Sequence, residues 1–114
     1  MQMTQGAENN AEILVMSEEG REFGYVLIDI KSSVVRMLKI EIFGCNDLSN
    51  MDSHSRMCAD SMMRAAASYG ATVGAYQIES KIDALEDYFC SVGFVFSAGR
   101  WLNPLLNIVK ICKK

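Results

Sequence analysis

The sequence predicts a single α+β domain. Three β-type runs joined by short turns open it, a helix of small and straight-chain residues follows, and a strand, a second helix and a Gly-Phe strand come after. With 114 residues, 50% of them apolar and 22% charged, the chain has the make-up of one folded domain. A domain of this size leaves roughly a third of its unfolded surface exposed, so a second copy packed against it is a useful supplement and a homodimer is a candidate assembly.

Residues 1–10 (MQMTQGAENN) are polar and aperiodic and read as a flexible leader, which places the domain at residues 11–114. Ala11 to Ser17 and Phe23 to Ile30 are rich in apolar, aromatic and β-branched residues, and Glu18-Glu19-Gly20 between them makes the turn of a hairpin. Beyond Ser32-Ser33, the run Val34 to Phe43 alternates. Arg36, Leu38, Ile40 and Ile42 form its mainly apolar side, expected to face the core; Val35, Met37, Lys39 and Glu41 form the other. Strands joined by turns this short pair antiparallel.

Gly44 to Asp52 is dense in Gly, Asn, Asp and Ser and reads as a loop, with Asp52 or Ser53 as helix cap. The helix is expected over His54 to Tyr69, with Met57, Cys58, Ser61, Met62, Ala65, Ala66 and Tyr69 on its buried stripe, Met63 off it and Gly70 as its stop. Ala71 to Ile78 follows as a strand, parallel to the one before the helix. Ile82, Leu85, Phe89 and Val92 recur at helical spacing and mark a second helix closed by Gly93. Phe94 to Phe96 is a strand, Ala98-Gly99 a turn, and Trp101 starts a return strand broken at Asn103-Pro104. The apolar tail Leu105 to Cys112 is open to either helix or strand, and with Trp101 it is a candidate contact surface.

Several function classes drop out on composition. A net charge of -3 gives no electrostatic reason for nucleic acid or an anionic membrane as partner. No apolar run approaches the roughly 20 residues that span a bilayer. Cys45, Cys58, Cys90 and Cys112 lack CxxC spacing and no secretory segment precedes the fold, so reduced thiols in a cytoplasmic protein are expected. Cys45, His54 and Cys58 are the one metal-capable grouping, but without paired CxxC support no metal is expected. No Walker loop, Ser nucleophile elbow or His-Glu zinc helix occurs.

The element order, with SMMRAAASYGA (Ser61 to Ala71) and ALEDYFCSVGF (Ala84 to Phe94), resembles the acetyl-CoA-binding core of the GNAT acyltransferases over residues 11 to 97. The resemblance implies a mixed sheet of three antiparallel strands followed by helix, strand, helix and strand. It also implies that the N-terminal elements that usually shape the acceptor pocket have no counterpart. The implied cofactor is acetyl-CoA or CoA, and the implied substrate is a small amine or a protein amine.

In that family two parallel strands splay apart, the pantetheine arm bonds the exposed strand edge, and the diphosphate sits on free N–H groups at a helix start. By position these places fall on Ile42, Phe43 and Gly44 for the edge and on Arg56, Met57, Cys58 and Ala59 for the helix start, with Met57 where the motif has a glycine. Many members hold a tyrosine acid where this chain has Phe89; Tyr88, one residue away, is the remaining hydroxyl. Glu41 matches the place of a general base, and equally fits a solvated strand face beside Lys39. The expected function is therefore an acyl-CoA-dependent N-acetyltransferase, or a non-catalytic module of the same fold used for dimerisation or partner binding.

Overall fold

The computed structural model of the chain describes residues 2–8 and 11–109. Its strands are β1 (Gln2–Glu8), β2 (Ala11–Glu18), β3 (Arg21–Lys31), β4 (Val34–Ile42), β5 (Gln77–Ser80), β6 (Val95–Ser97) and β7 (Arg100–Pro104); its α-helices are α1 (Ser53–Thr72) and α2 (Glu86–Ser91). The strands form one mixed sheet in the order β1-β2-β3-β4-β5-β7-β6, in which β4 and β5 are the parallel pair. The α+β class, the antiparallel opening and the parallel crossover are as the sequence predicts.

Residues 2–8 are the first departure. Where a leader was expected, the backbone pairs antiparallel with the whole of β2, from Gln2 opposite Ser17 to Glu8 opposite Ala11. An edge strand is held by main-chain hydrogen bonds to its neighbour, so it needs no apolar alternation of its own. That is why composition missed it.

The core lies on one face of the sheet. Leu14 and Met16 of β2, Val26 and Ile28 of β3, and Val35, Met37, Ile40 and Ile42 of β4 are buried there. This corrects the alternation expected for β4, since Arg36 is only half-buried and Leu38 is exposed. The cause is a β-bulge. Leu27 of β3 pairs with Lys39 while Ile28 pairs with Met37, which leaves Leu38 unpaired and inverts the facing of the strand across it.

Helix α1 buries Ser55, Cys58, Ala59, Met62, Met63, Ala66, Ala67 and Gly70. Its buried stripe is thus turned one residue from the expected one: Met57 is exposed and Met63 is in the core. Gly70 does not stop the helix. A Cβ there would stand 2.9 Å from Val35 Cγ1, so its missing side chain lets the helix lie close on β4, and Gly74, at φ +93, takes the left-handed position beyond the end. The helix consumes residues expected in the next strand, which shrinks β5 to four residues.

Val35 pairs with Ile78, Ile78 with Asn103, and Ser80 with Trp101, which carries the same face across to β7. Phe89 of α2 packs on Trp101 from that side, and Asn103 Nδ2 donates to Val92 O at 3.2 Å. Both helices therefore cover one face. Trp101 is buried in this layer and is no contact surface. Among the described residues the opposite face, carrying Tyr25, Asp29, Arg36, Lys39, Glu41 and Glu79, has no helix over it. In the tail, Leu105–Asn107 is a single 3-10 turn, and residues 110–114 lie outside the described residues.

Candidate functional site

Strands β4 and β5 stay paired for only four residues, from Val34 opposite Gln77 to Met37 opposite Ser80, and then part. Ser80 Oγ donates to Met37 O at 3.1 Å and accepts from Ile82 N–H at 3.2 Å, which fastens the branch point. Beyond it opens a cleft of about 240 Å³ walled by Arg36, Met37 and Leu38 on one strand and by Glu79, Ser80, Lys81 and Ile82 on the other. Phe43 N–H donates to Phe23 O at 2.9 Å on the β3 side, so strand alternation turns the peptide groups of Ile40 and the N–H of Ile42 toward the cleft side.

The unpaired edge is therefore earlier in the chain than expected. Of the three edge residues read from the sequence, Ile42 gives its carbonyl to Cys45 N–H at 3.0 Å, Phe43 gives its N–H to β3, and Gly44 lies beyond the strand in the turn. Sequence spacing placed the open edge by the end of the strand, whereas the bulge at Leu38 and the shortness of β5 set where pairing stops.

The start of α1 is organised differently from a phosphate seat. Asp52 is its N-cap, and its carboxylate accepts from Ser55 N–H at 2.7 Å. That bond is the main reason the Asp52 carboxyl is held below the usual aspartate range. A fixed negative charge thus occupies the position an anion would take. Arg56 is committed as well, with its guanidinium bonded to Ser91 Oγ and lying 5.3 Å over the Tyr88 ring. Met57 is 56% exposed and lines a surface pocket with Ser53 and Arg56, while Cys58 and Ala59 are buried against the sheet. Burial also pushes the Cys58 thiol up, away from thiolate chemistry. Among the described residues no three of His, Cys, Asp and Glu come together as a metal site; the His54 ring packs edge-on to Phe23 at 5.8 Å.

The two aromatic candidates on α2 face inward. Phe89 is fully buried among Phe94 and Trp101, with ring centroids 4.5 Å and 6.0 Å away. Tyr88 is 2% exposed and donates its hydroxyl to Asp60 Oδ1 at 2.7 Å. Burial first, then that bond, pushes the phenol pKa far up, so the hydroxyl keeps its proton and donates it only as a hydrogen bond to Asp60. Glu41 is exposed on the bare sheet face, opposite Tyr25, and is not among the residues lining the cleft.

The carboxylate that does line the cleft is Glu79, which is 8% exposed. In the sequence Glu79-Ser80 falls between the expected strand Ala71 to Ile78 and the second helix. Only the pairing of β5 between two neighbours reveals them as the end of a central strand, and a four-residue strand is too short to show alternation.

The cleft fits a cofactor of the coenzyme A type in one part and not in another. An extended arm could bond the free edge of β4, but the diphosphate would meet the Asp52 carboxylate.

No protein-family model matches this sequence and no curated protein is similar to it. Solved structures do match the fold. An acetyltransferase assigned to the GNAT family, from Desulfovibrio desulfuricans, superposes with a TM-score of 0.65 at 10% identity, over 84% of this chain and 69% of that one. A Bacillus subtilis acetyltransferase in complex with CoA gives 0.62 at 12% identity, over 90% of this chain and 97% of that one. A KacTA–DNA complex gives 0.61 at 14% identity, over 90% of this chain and 72% of that one. At these identities the likeness establishes the fold alone, and the fold is that of the GNAT acetyltransferases. Since a structure of this fold occurs in a complex with DNA, the case against a nucleic-acid partner rests on net charge alone.

Proposed function

We propose that this GNAT-fold chain is an acyl-thioester-dependent N-acyltransferase whose reacting centre is the cleft between β4 and β5. The observation that carries the proposal is the parting of a parallel strand pair after four residues, which leaves strand edge on one wall and a shielded carboxylate on the other. A bound thioester of the pantetheine type supplies the acyl group. The free peptide groups of β4 hold and orient it along the edge. Glu79 holds an acceptor amine, and water takes the proton that the amine sheds, since Glu41 stands opposite Tyr25 outside the cleft. Neither Phe89 nor Tyr88 is placed to act as an acid.

Thermal unfolding in the presence of acetyl-CoA and of S-acetyl-pantetheine tests this reading. A ligand that binds the native state stabilises it by about 2.7 kcal/mol at a hundred times its Kd, so both compounds should raise the melting temperature. The absence of any shift at millimolar concentration of either would leave the chain a non-catalytic member of the fold, used for dimerisation or partner binding.

The cap makes a sharper prediction. Asp52→Ser keeps a good N-cap and removes the charge, so it should tighten acetyl-CoA binding by about fivefold while leaving S-acetyl-pantetheine unchanged. Equal effects on both compounds, measured by calorimetric titration, would mean the diphosphate does not approach α1.

A further inference from the structure

The charged row on the bare sheet face runs on past the reacting cleft, from Glu79 at its wall to side chains that take no part in the transfer. Asp29, Arg36 and Glu79 stand in cross-strand register on β3, β4 and β5, and Arg100 follows on β7. Asp29 and Arg36 form a closed, two-pronged pair, with Arg36 Nε 2.7 Å from Oδ1 and the terminal nitrogen on Oδ2. The second pair is open. Arg100 Nε lies 3.4 Å from Glu79 Oε1 without hydrogen-bond alignment, and this shielded nitrogen has no hydrogen-bond partner among the described residues. The Nε itself is shielded, but the Arg100 side chain is 41% exposed, so an oxyanion from solvent meets the guanidinium at its outer edge.

The row borders a second cleft of about 280 Å³, lined by Lys31, Ser32, Val34, Arg36, Glu79 and Arg100. Arg36 and Glu79 belong to the walls of both clefts, so the two adjoin. Asp29 already neutralises Arg36, which leaves Lys31 and Arg100 against the single carboxylate of Glu79. The surplus is positive, and it is presented in a planar guanidinium fork that matches a carboxylate.

Resting on the function proposed above, we propose that this second cleft is the acceptor subsite and that the acceptor is a small amino acid-like molecule carrying a carboxylate beside its amine. The carboxylate lies against Arg100 and Lys31. The amine lies at Glu79, on the boundary with the reacting cleft. Protein amines on lysine side chains, which carry no such carboxylate, are then poor acceptors.

The test is direct binding to the full chain, followed by the arginine Nε–Hε signals in nitrogen-proton NMR spectra. The probes are a panel of L-amino acids and the corresponding amino acid amides. At least one amino acid should shift the Arg100 signal saturably, and its amide should bind at least about tenfold more weakly, as expected for loss of a charge-assisted contact. Lys31→Gln, at an exposed site at the end of β3, and Arg100→Gln should each weaken amino acid binding by about fivefold to tenfold. An amide that binds as well as its acid, indifference to both substitutions, or no binding by any member of the panel would overturn the assignment. Its fate is separable from that of the transfer reaction. A thermal shift with S-acetyl-pantetheine but no amino acid binding sinks the subsite alone, whereas amino acid binding without any thioester response supports the subsite and sinks the transfer.

Discussion

Gly24→Ala should unfold the chain or come close to it. A Cβ at this position on β3 would stand 2.1 Å from the Glu41 carbonyl oxygen and 2.7 Å from Met62 Cε. The methionine end is flexible and could move aside. The carbonyl belongs to the backbone of β4, and displacing it breaks the β3–β4 ladder where Tyr25 pairs with Glu41. Overpacking typically costs about 1–3 kcal/mol, and a clash with main chain lies at the upper end; at about 4–8 °C per kcal/mol for a domain near this size the melting temperature should fall by about 12–24 °C. Urea unfolding followed by circular dichroism measures it. A loss below about 1 kcal/mol would mean that β3 and β4 are not paired in this register.

Phe89 gives the second large effect, and it separates fold from chemistry. Phe89→Ala empties a fully buried site ringed by Phe94, Trp101 and Tyr88 and should cost about 3–5 kcal/mol. Phe89→Tyr is the informative change, because it restores the residue type that the acyltransferase resemblance implies as a proton donor. In this packing the new hydroxyl enters an aromatic layer. It should destabilise the protein by about 1–3 kcal/mol and bring no gain in acyl transfer. A tenfold faster transfer with unchanged stability would show that the ring of residue 89 opens to the cleft rather than to the core.

These two positions also mark how far the sequence could be read. The helices, the hairpin and the parallel crossover were legible because each rests on local signals: turn residues, small helix formers, a Gly at a helix end. Met57 and Met63 show where local reading fails, since choosing between adjacent stripes on α1 depends on which side the sheet lies. Gly70 has the look of a stop signal and is in fact a close-approach residue against Val35. Tyr88 and Phe89 are both buried, because α2 is covered by the β6–β7 hairpin on one side and α1 on the other.

The candidate site was the least legible part. Its cofactor side is expected over Ile42 to Ala59, whereas in the structure the free edge is the peptide groups of Ile40 and the N–H of Ile42, and the expected cap Asp52 sets a negative charge where the phosphates belong. Its acceptor side was not read at all, because Lys31, Arg36, Glu79 and Arg100 are scattered over some seventy positions of sequence.

Hydrophobic period and turn chemistry act over a few residues and need no knowledge of the rest, so the class of fold can be read from local sequence. Tertiary structure alone decided that residues 2–8 extend the sheet, that β4 reverses its facing at Leu38, that β5 ends at Ser80, and that Glu79 meets Arg36 and Arg100. Each of these depends on a neighbour distant in sequence. A strand's register, and with it the direction of every side chain along it, is set by the partner it pairs with.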